Sequence, residues 1–284
     1  MSATPDFAAT LLPADEITAA VDGFLAASPA TRSWDVETGV DWDDADAGLL
    51  TEGQRSAVQF VTLIEDHLPG YFDVYHRWFP VDDSVDLPVF EHNRELYHFT
   101  VRWAVEEDTH ARALARYQLA SGMAERSALR TELAIEGRKP FDLPYAHPVQ
   151  FFAYALVQEK ATQMYYQQLR EVVGDPALAG LLTRLSRDEA RHFSFMAEVV
   201  TRYLRVHGDA VVDPIRDVVA GFRMPLSDTL RGYWRWALRI ADVADYDHTA
   251  AYEHLIKVID RAVDARSDRV GELVDFVGQC RALR

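Results

Sequence analysis

The sequence predicts an all-α protein in which four long helices form a bundle and shorter helices pack around it. From about residue 50 onward, residues of high helix propensity dominate, and apolar side chains recur at steps of three and four residues. No run of alternating β-branched residues is present that would predict a strand. With 284 residues, of which 49% are hydrophobic, the chain has enough apolar material to fill such a core.

Residues that interrupt a helix mark the ends of the predicted elements. The first helix carries apolar residues at Val58, Val61 and Ile64, and it ends before Pro80. Pro69-Gly70 either kinks this helix or divides it in two. In chain order, the predicted helices are 52–79, 89–122, 125–137, 148–173, 177–206, 210–221, 227–241, 246–264 and 268–282.

The long helices that follow have equally clear boundaries. Gly122 ends the second predicted helix and Gly137 ends the third. Pro148 is suited to the first turn of the fourth, which breaks at Gly174-Asp175-Pro176. The fifth stops near Gly208. Because these breaks are too short to be domain linkers, we expect one continuous helical domain.

That domain is predicted to span residues 51–284, after an acidic arm with a short helix at residues 1–50. The chain has a net charge of −16, and its first 50 residues contain ten acidic residues and one basic residue, Arg32. The simplest interpretation of the arm is a solvated segment, and the alternative is an acidic docking surface. So negative a surface repels polyanions, and nucleic acid is therefore not an expected partner.

Three further features exclude classes of protein. The longest apolar run has seven residues, 151–157, whereas a membrane-spanning helix needs about 20. The N-terminus lacks the basic and apolar blocks of a secretory signal. The single cysteine, Cys280, excludes an internal disulfide and an iron–sulfur cluster held by this chain alone. We therefore expect a cytoplasmic protein without a membrane span.

Carboxylate and imidazole side chains interrupt the apolar stripes of the four long helices. Burying a carboxylate is unfavourable unless a metal ion or another cation compensates its charge. A spacing of three places both side chains of a Glu-x-x-His pair on one face of a helix. In chain order, the set comprises Glu65, the pair Glu107 and His110, Glu159, and the pair Glu189 and His192.

Helical bundles that bind two iron or manganese ions use this set of side chains. Four carboxylates and two divalent cations would give a nearly neutral site. Taken singly, a Glu-x-x-His pair often arises by chance, and a lone glutamate is usually solvated or ion-paired. Each of the four long helices carries either one of these glutamates or one of these pairs, and this distribution favours the metal site. Glu106 is expected to point away from the metal, so its substitution by glutamine should leave metal content near normal.

The segments around these residues resemble the soluble acyl-acyl-carrier-protein desaturase family over about residues 50–210. The matching segments are Glu65-Asp66-His67-Leu68-Pro69-Gly70-Tyr71, Trp103-Ala104-Val105-Glu106-Glu107-Asp108-Thr109-His110, Gln158-Glu159-Lys160-Ala161-Thr162 and Asp188-Glu189-Ala190-Arg191-His192. The resemblance implies a ferritin-like bundle, a homodimer, and two iron ions (or manganese in their place) held by the six residues above. It also implies that Thr162 lies on the oxygen-binding side and that Asp188 orients a ligand histidine. The alternative for Thr162 is a hydrogen bond to its own helix backbone.

The resemblance implies an oxidoreductase that uses dioxygen to desaturate a fatty acyl chain carried as a thioester. Acyl carrier protein, coenzyme A and another carrier all remain open. Electrons are expected from an external ferredoxin, because the sequence has no Gly-x-Gly-x-x-Gly loop and no cysteine cluster. Two alternatives are a di-iron hydroxylase or oxygenase acting on a specialised substrate, and a ferritin-like protein that binds iron without an organic substrate.

Two groups of residues are candidates for contacts with the substrate and its carrier. An apolar channel would suit the acyl chain, and its candidate wall residues are Phe60, Phe99, Phe151, Phe152, Met164 and Phe193. An acidic carrier would need a local basic patch, for which the candidates are Arg126, Arg130, Arg138 and Lys139, or Arg231, Arg235 and Arg239. Plain core packing and solvated helix faces are the simpler interpretations of these two groups.

Overall fold

The computed structural model describes residues 7–27, 34–233, 236, 243, 247–263 and 267–282, and these ranges contain helices and no β-strand. In chain order, the helices are α1 (Phe7–Thr10), α2 (Ala14–Ala27), α3 (Glu52–Glu65), α4 (Leu68–Trp78), α5 (Leu87–Ala120), α6 (Arg126–Gly137), α7 (Pro148–Val172), α8 (Pro176–His207), α9 (Val212–Gly221), α10 (Tyr252–Ala262) and α11 (Asp268–Ala282). The prediction of an all-α fold is confirmed. None of these helices is long and apolar enough to cross a bilayer.

The predicted first helix is in fact two helices. α3 ends at Glu65, and α4 begins at Leu68 with Pro69 in its first turn. Proline is tolerated there because the first amides of a helix have no intrahelical partner. The break therefore precedes Pro69-Gly70, and it places Glu65 at the very end of α3.

Two of the shorter predicted helices also differ from the structure. Short 3₁₀ turns at Gly208–Val211 and His248–Ala251 precede α9 and α10, so both α-helices begin later than predicted. The predicted helix over residues 227–241 is wrong for residues 227–232, which form turns, and residues 234, 235 and 237–241 lie outside the described residues.

Helices α3, α5, α7 and α8 form a bundle whose middle is polar. α7 packs most extensively on α8, α3 packs on α5, and α5 also contacts α8. One apolar cluster, which includes Leu114 and Leu169, fills one end of this bundle. A second cluster, which includes Phe99 and Phe152, fills the other end. The carboxylates and histidines singled out above occupy the layer between the two clusters.

Part of the N-terminal arm is packed against this bundle. α2 lies against α5 and α8 and buries Ile17, Val21 and Phe24. The Phe24 ring meets the edge of Phe99 at a centroid distance of 4.9 Å. The expectation of a solvated arm is thus wrong for α2, because one face of this helix is apolar. The division of the chain at residue 50 stays a prediction.

Asp175 attaches the segment after α2 to the end of the bundle. Its carboxylate is fully buried and caps α8 by accepting a hydrogen bond from the Leu178 amide. It also accepts hydrogen bonds from the Tyr117 hydroxyl and from the Asp46 amide, both at 2.8 Å. This contact holds the acidic segment along the bundle, where Trp34 reaches the polar layer.

Candidate metal centre

The six predicted ligand residues meet in the middle of the bundle, and all six are buried. Their donor atoms form two groups, and within each group these atoms lie within 4.8 Å of one another. One group comprises Glu65, Glu107, His110 and Glu189, and the other comprises Glu107, Glu159, Glu189 and His192. Glu107 and Glu189 belong to both groups, as residues that bridge two ions would.

The spacing of the donor atoms suits metal coordination. Nδ1 of His110 lies 3.3 Å from a Glu189 oxygen, 3.6 Å from Glu107 and 3.8 Å from Glu65. Nδ1 of His192 lies 3.0 Å from Glu107, 3.5 Å from Glu159 and 3.8 Å from Glu189. Two ligands that are each about 2.1 Å from one ion lie roughly 3 to 4 Å from each other. The residues therefore fit two metal ions.

Several donor atoms of the cluster lack hydrogen-bond partners among the described residues. These atoms are Nδ1 of His110, Nδ1 of His192, one oxygen of Glu159 and both oxygens of Glu189. Leaving a buried polar atom unpaired is unfavourable, and such atoms are rare in native proteins. Metal ions would satisfy all of them at once.

Each histidine is held from behind by a carboxylate on the opposite helix. Nε2 of His110 lies 3.1 Å from Asp188, and Nε2 of His192 lies 2.9 Å from Glu106. Because an ionised carboxylate only accepts hydrogen bonds, Nε2 is the donor in both pairs. The lone pair of Nδ1 then faces the cluster, an arrangement common among metal-binding histidines.

The structure therefore corrects one sequence-based expectation. Glu106 does point away from the donor atoms, but it is a partner of His192 and it is 1% exposed. Its substitution should not be neutral for metal binding. The signal was present in the sequence, because an acid precedes the metal-facing glutamate in both Glu-x-x-His segments: Glu106 before Glu107, and Asp188 before Glu189.

Further side chains that the sequence did not reveal compensate these two outer carboxylates. Arg191 lies 3.0 Å from Glu106 and 2.7 Å from Asp188, so one guanidinium joins both. Arg102 donates to Glu106 at 3.1 Å, and the Trp34 indole donates to Asp188 at 2.9 Å. Burial opposes ionisation of Asp188, yet the hydrogen bond with His110 and the charge of Arg191 lower its pKa to about 2.

The pKa values of the inner carboxylates are shifted in opposite directions. Burial and the charge of Glu107 raise the pKa of Glu65 to about 8. Burial and the charge of Glu189 also raise the pKa of Glu159. Burial acts against ionisation of Glu107 as well, but the neighbouring imidazoles of His110 and His192 hold its pKa below the usual range. In the metal-free protein, the site thus retains protons near neutral pH.

Two side chains of α7 lie next to the cluster. Tyr166, two turns after Glu159, is fully buried and its hydroxyl donates a hydrogen bond to Glu65. Thr162 is also buried, and its hydroxyl accepts a hydrogen bond from the Gln158 side chain at 3.2 Å. The position of Thr162 on the oxygen-binding side stays a prediction.

A cavity borders the cluster on one side. Glu65, Glu107 and Glu159 line it together with mostly apolar and aromatic residues from α4, α5, α7 and the loops around Phe141 and Pro225. Among the wall residues expected from the sequence, Phe151 lines this cavity. The other candidates, Phe60, Phe99, Phe152, Met164 and Phe193, do not border it, and Phe99 and Phe152 belong to the apolar core, in agreement with the simpler interpretation of core packing.

Comparison with known proteins places this geometry in context. The fatty acid desaturase family model matches residues 13–263. Two similar proteins are DesA2 and DesA1 of Mycobacterium tuberculosis, which are both named acyl-acyl-carrier-protein desaturases. DesA2 is 26% identical over 187 residues, or 62% of the chain. DesA1 is 26% identical over 257 residues, or 87% of the chain. Rice chloroplastic acyl-acyl-carrier-protein desaturase 6 is 29% identical over 177 residues, or 55% of the chain. These alignments span 60% of DesA2, 70% of DesA1 and 41% of the rice protein.

The X-ray structure of DesA2 shares the fold of this chain. The two match with a TM-score of 0.66 at 18% identity, covering 92% of this chain and 98% of the DesA2 chain. Together with the described helices, this match confirms the predicted ferritin-like bundle with flanking helices.

Substitutions on α5 test the roles of its acidic residues. Glu107→Gln removes a carboxylate shared by both donor groups, so bound Mn²⁺ or Fe²⁺ should fall from two ions per chain to one or fewer. Glu106→Gln should retain two ions at saturating metal but weaken affinity by roughly 10- to 100-fold, because His192 loses a charged partner. Elemental analysis and calorimetric titration would measure both effects.

Asp108→Asn is the matched control, since Asp108 lies on the same helix but is exposed. It should bind metal like the unchanged protein. Two ions retained by Glu107→Gln would contradict the ligand assignment, and equal affinities of Glu106→Gln and Asp108→Asn would contradict the orienting role.

Metal binding should release protons and strengthen with pH. The raised pKa values of Glu65 and Glu159 mean that the free site carries protons near pH 7, and divalent cations displace them. Affinity for Mn²⁺ should therefore rise by at least tenfold from pH 6.5 to pH 8.5. Calorimetry in buffers of different ionisation enthalpy would count the protons, and a count of zero at pH 7 would refute this electrostatic description.

Proposed function

The chain belongs to the fatty acid desaturase family, and we propose that it uses two iron ions and dioxygen to introduce a double bond into a saturated acyl chain carried as a thioester. One observation carries the proposal: three carboxylates of the candidate metal centre also line a cavity. A buried metal site used only for storage would not need such a space for an organic molecule beside its ligands.

Iron held by the six residues would supply the oxidising power to remove two hydrogen atoms from neighbouring carbons, with dioxygen as the oxidant. In the overall balance, dioxygen becomes two water molecules by taking two hydrogen atoms from the acyl chain and two electrons with two protons from outside. In this proposal no side chain acts as a nucleophile.

The protein's own contribution is positioning and exclusion of water. Asp188 and Glu106 orient the two histidines, and Arg191 keeps both carboxylates compensated. The two apolar clusters isolate the polar layer from solvent along the bundle axis. A dry site strengthens each electrostatic contact and protects reactive species from side reactions.

The acyl chain would enter the cavity past its partly exposed side, where Tyr71 and Phe141 lie. The thioester and its carrier would remain outside. Arg138, three residues before Phe141, is exposed and places positive charge near this entrance. It suits an acidic carrier or a phosphate-bearing pantetheine arm, and the names of the relatives favour acyl carrier protein. Of the other basic stripe, Arg235 and Arg239 lie outside the described residues.

Electrons would come from a separate protein of the ferredoxin type. The chain has one cysteine and no Gly-x-Gly-x-x-Gly loop, so its sequence offers no iron–sulfur cluster and no dinucleotide fingerprint. The proposed reaction consumes two external electrons for each double bond, which makes such a donor necessary.

We also propose a homodimer formed through α5. Tyr97, Val101 and Val105 form an apolar stripe on this helix and are 38%, 41% and 52% exposed. If two copies of α5 cross antiparallel at Val101, each Tyr97 faces a Val105 of the other copy. This self-complementary pattern is what a two-fold symmetric interface requires.

Disrupting the centre of that interface should give monomers. Val101→Glu would bring two carboxylates together at the two-fold axis, so light scattering after gel filtration should report half the mass of the unchanged protein. Ile135→Glu, on exposed α6, is the control and should remain dimeric. A dimeric Val101→Glu variant would exclude this α5 interface.

Product analysis tests the proposed reaction. The protein is loaded with two equivalents of Fe²⁺ and supplied with a reducing ferredoxin system, dioxygen and saturated acyl thioesters, and an alkene should form with one dioxygen consumed per double bond. Glu107→Gln should lower turnover at least 100-fold, whereas Asp108→Asn should retain it.

Other outcomes of this experiment separate the alternatives. An alcohol product would identify a hydroxylase. Uptake of many irons per chain without an organic product would identify a ferritin-like iron-binding protein, and either result would overturn the proposed desaturation.

A further inference from the structure

The two oxygens of Glu65 have different surroundings. Oε1 accepts a hydrogen bond from the Tyr166 hydroxyl, whereas Oε2 lies 3.8 Å from Nδ1 of His110, which belongs to the same donor group. A hydrogen bond from a phenol occupies a lone pair of a carboxylate oxygen and directs that oxygen toward the phenol. One oxygen of Glu65 therefore faces the donor group, and Tyr166 holds the other.

Glu189 shows the opposite arrangement. Neither of its oxygens has a hydrogen-bond partner among the described residues. One oxygen lies 3.3 Å from Nδ1 of His110, and the other lies 3.8 Å from Nδ1 of His192. Both oxygens of Glu189 are thus available to metal ions, one in each donor group. At Glu65, by contrast, Tyr166 competes with a metal ion for one of the two oxygens.

Packing in the core fixes the position of the Tyr166 hydroxyl. This side chain is fully buried and belongs to the apolar cluster that also contains Tyr117 and Leu169. The centroid of its ring lies 5.9 Å from that of Tyr165. A buried hydroxyl without a partner is unfavourable, and Glu65 is the partner that the structure gives it. Because close-packed rings move little, the hydroxyl stays on Oε1.

The helix that carries Glu65 gives its side chain little support on one side. Glu65 is the last residue of α3, and α4 begins at Leu68. No further turn of α3 follows whose side chains could pack beside this carboxylate. The other three ligand glutamates lie in the interiors of α5, α7 and α8. The orientation of Glu65 therefore depends strongly on its hydrogen bond with Tyr166.

We propose that Tyr166 is a positioning residue that limits Glu65 to coordination through one oxygen and so leaves a position free on the metal ion of that donor group. A carboxylate can bind a metal ion through one oxygen or through both. Partners outside the coordination shell orient such ligands. The inference rests on the proposed function for its two metal ions, and it deepens that function because catalytic metal sites keep a position open for a small external molecule.

The infrared spectrum of the bound carboxylates tests the coordination of Glu65. The antisymmetric and symmetric stretches of a carboxylate lie further apart when one oxygen binds the metal ion than when both do. Difference spectra are recorded between Mn²⁺-loaded and metal-free protein. Tyr166→Phe removes the hydroxyl and keeps the ring, so one carboxylate per chain should change from the wide to the narrow separation.

Tyr165→Phe is the matched control. Tyr165 is the neighbouring tyrosine of α7, it is 5% exposed, and its hydroxyl donates a hydrogen bond to the Ala57 carbonyl at 2.9 Å. The substitution removes a buried hydroxyl whose hydrogen bond goes to the backbone instead of to a ligand. Its difference spectrum should match that of the unchanged protein.

Azide binding is a second measurement, because azide needs a free position on the metal ion. Azide is titrated into Co²⁺-loaded protein, and the visible absorption of cobalt reports its binding. The unchanged protein and Tyr165→Phe should bind azide. In Tyr166→Phe, the freed oxygen of Glu65 takes the position, so the binding of one azide per chain should weaken by at least about tenfold.

Each measurement can overturn the inference. Identical infrared separations in Tyr166→Phe and the unchanged protein would do so, and so would the same change in Tyr165→Phe. If Tyr166→Phe does not fold, as judged by its melting curve, the unchanged protein still decides the matter. Failure of its Co²⁺ form to bind azide would contradict a free position.

This inference and the proposed function fail in different ways. An alkene product together with an unaltered spectrum in Tyr166→Phe would remove the role of Tyr166 and leave the desaturase function intact. The expected changes in the infrared spectrum and in azide binding, without any oxygen-dependent product, would remove the function and leave the role of Tyr166 in place.

Discussion

The compensation of buried negative charge is the constraint on which the middle of this bundle depends. Six carboxylates lie together there: four belong to the two donor groups, and two lie behind the histidines. Low exposure makes each charge unfavourable unless a cation or a proton balances it. Arg191 and Arg102 compensate the charges of the outer carboxylates, Glu106 and Asp188. In the metal-free protein, the raised pKa values of Glu65 and Glu159 mean that protons neutralise these two inner carboxylates, whereas the lowered pKa values of Glu107 and Glu189 keep those two ionised.

The outer carboxylates also explain why α5 and α8 must keep their relative position. Glu106 on α5 holds His192 of α8, and Asp188 on α8 holds His110 of α5, so the two contacts are reciprocal. Arg191 then joins Glu106 to Asp188. A slide of one helix along the other would break all of these hydrogen bonds together. The network therefore fixes the histidine nitrogens at the spacing that two metal ions need.

The sequence predicted what depends on local periodicity and missed what depends on packing between helices. The long helices and the meeting of six side chains follow from spacings of three and four, which tertiary contacts did not override. The repeated acid before each metal-facing glutamate hints at a role for Glu106, but only the facing helix identifies its partner as His192, 86 residues away. The break after Glu65 depended on whether Pro69 begins a helix or kinks one, and both have the same sequence signature.

One layer of aromatic residues both stabilises the core and forms a wall of the cavity. Phe99 and Phe152 were candidate walls of an apolar channel for the acyl chain, yet both are fully buried in the core. Tyr75 and Phe151 are packed against them and also face the cavity. The surface that ends the cavity is thus the same surface that seals one apolar cluster. Any change that enlarges the cavity at this wall must remove support from this core, so the shape of the cavity and the stability of the bundle are physically coupled.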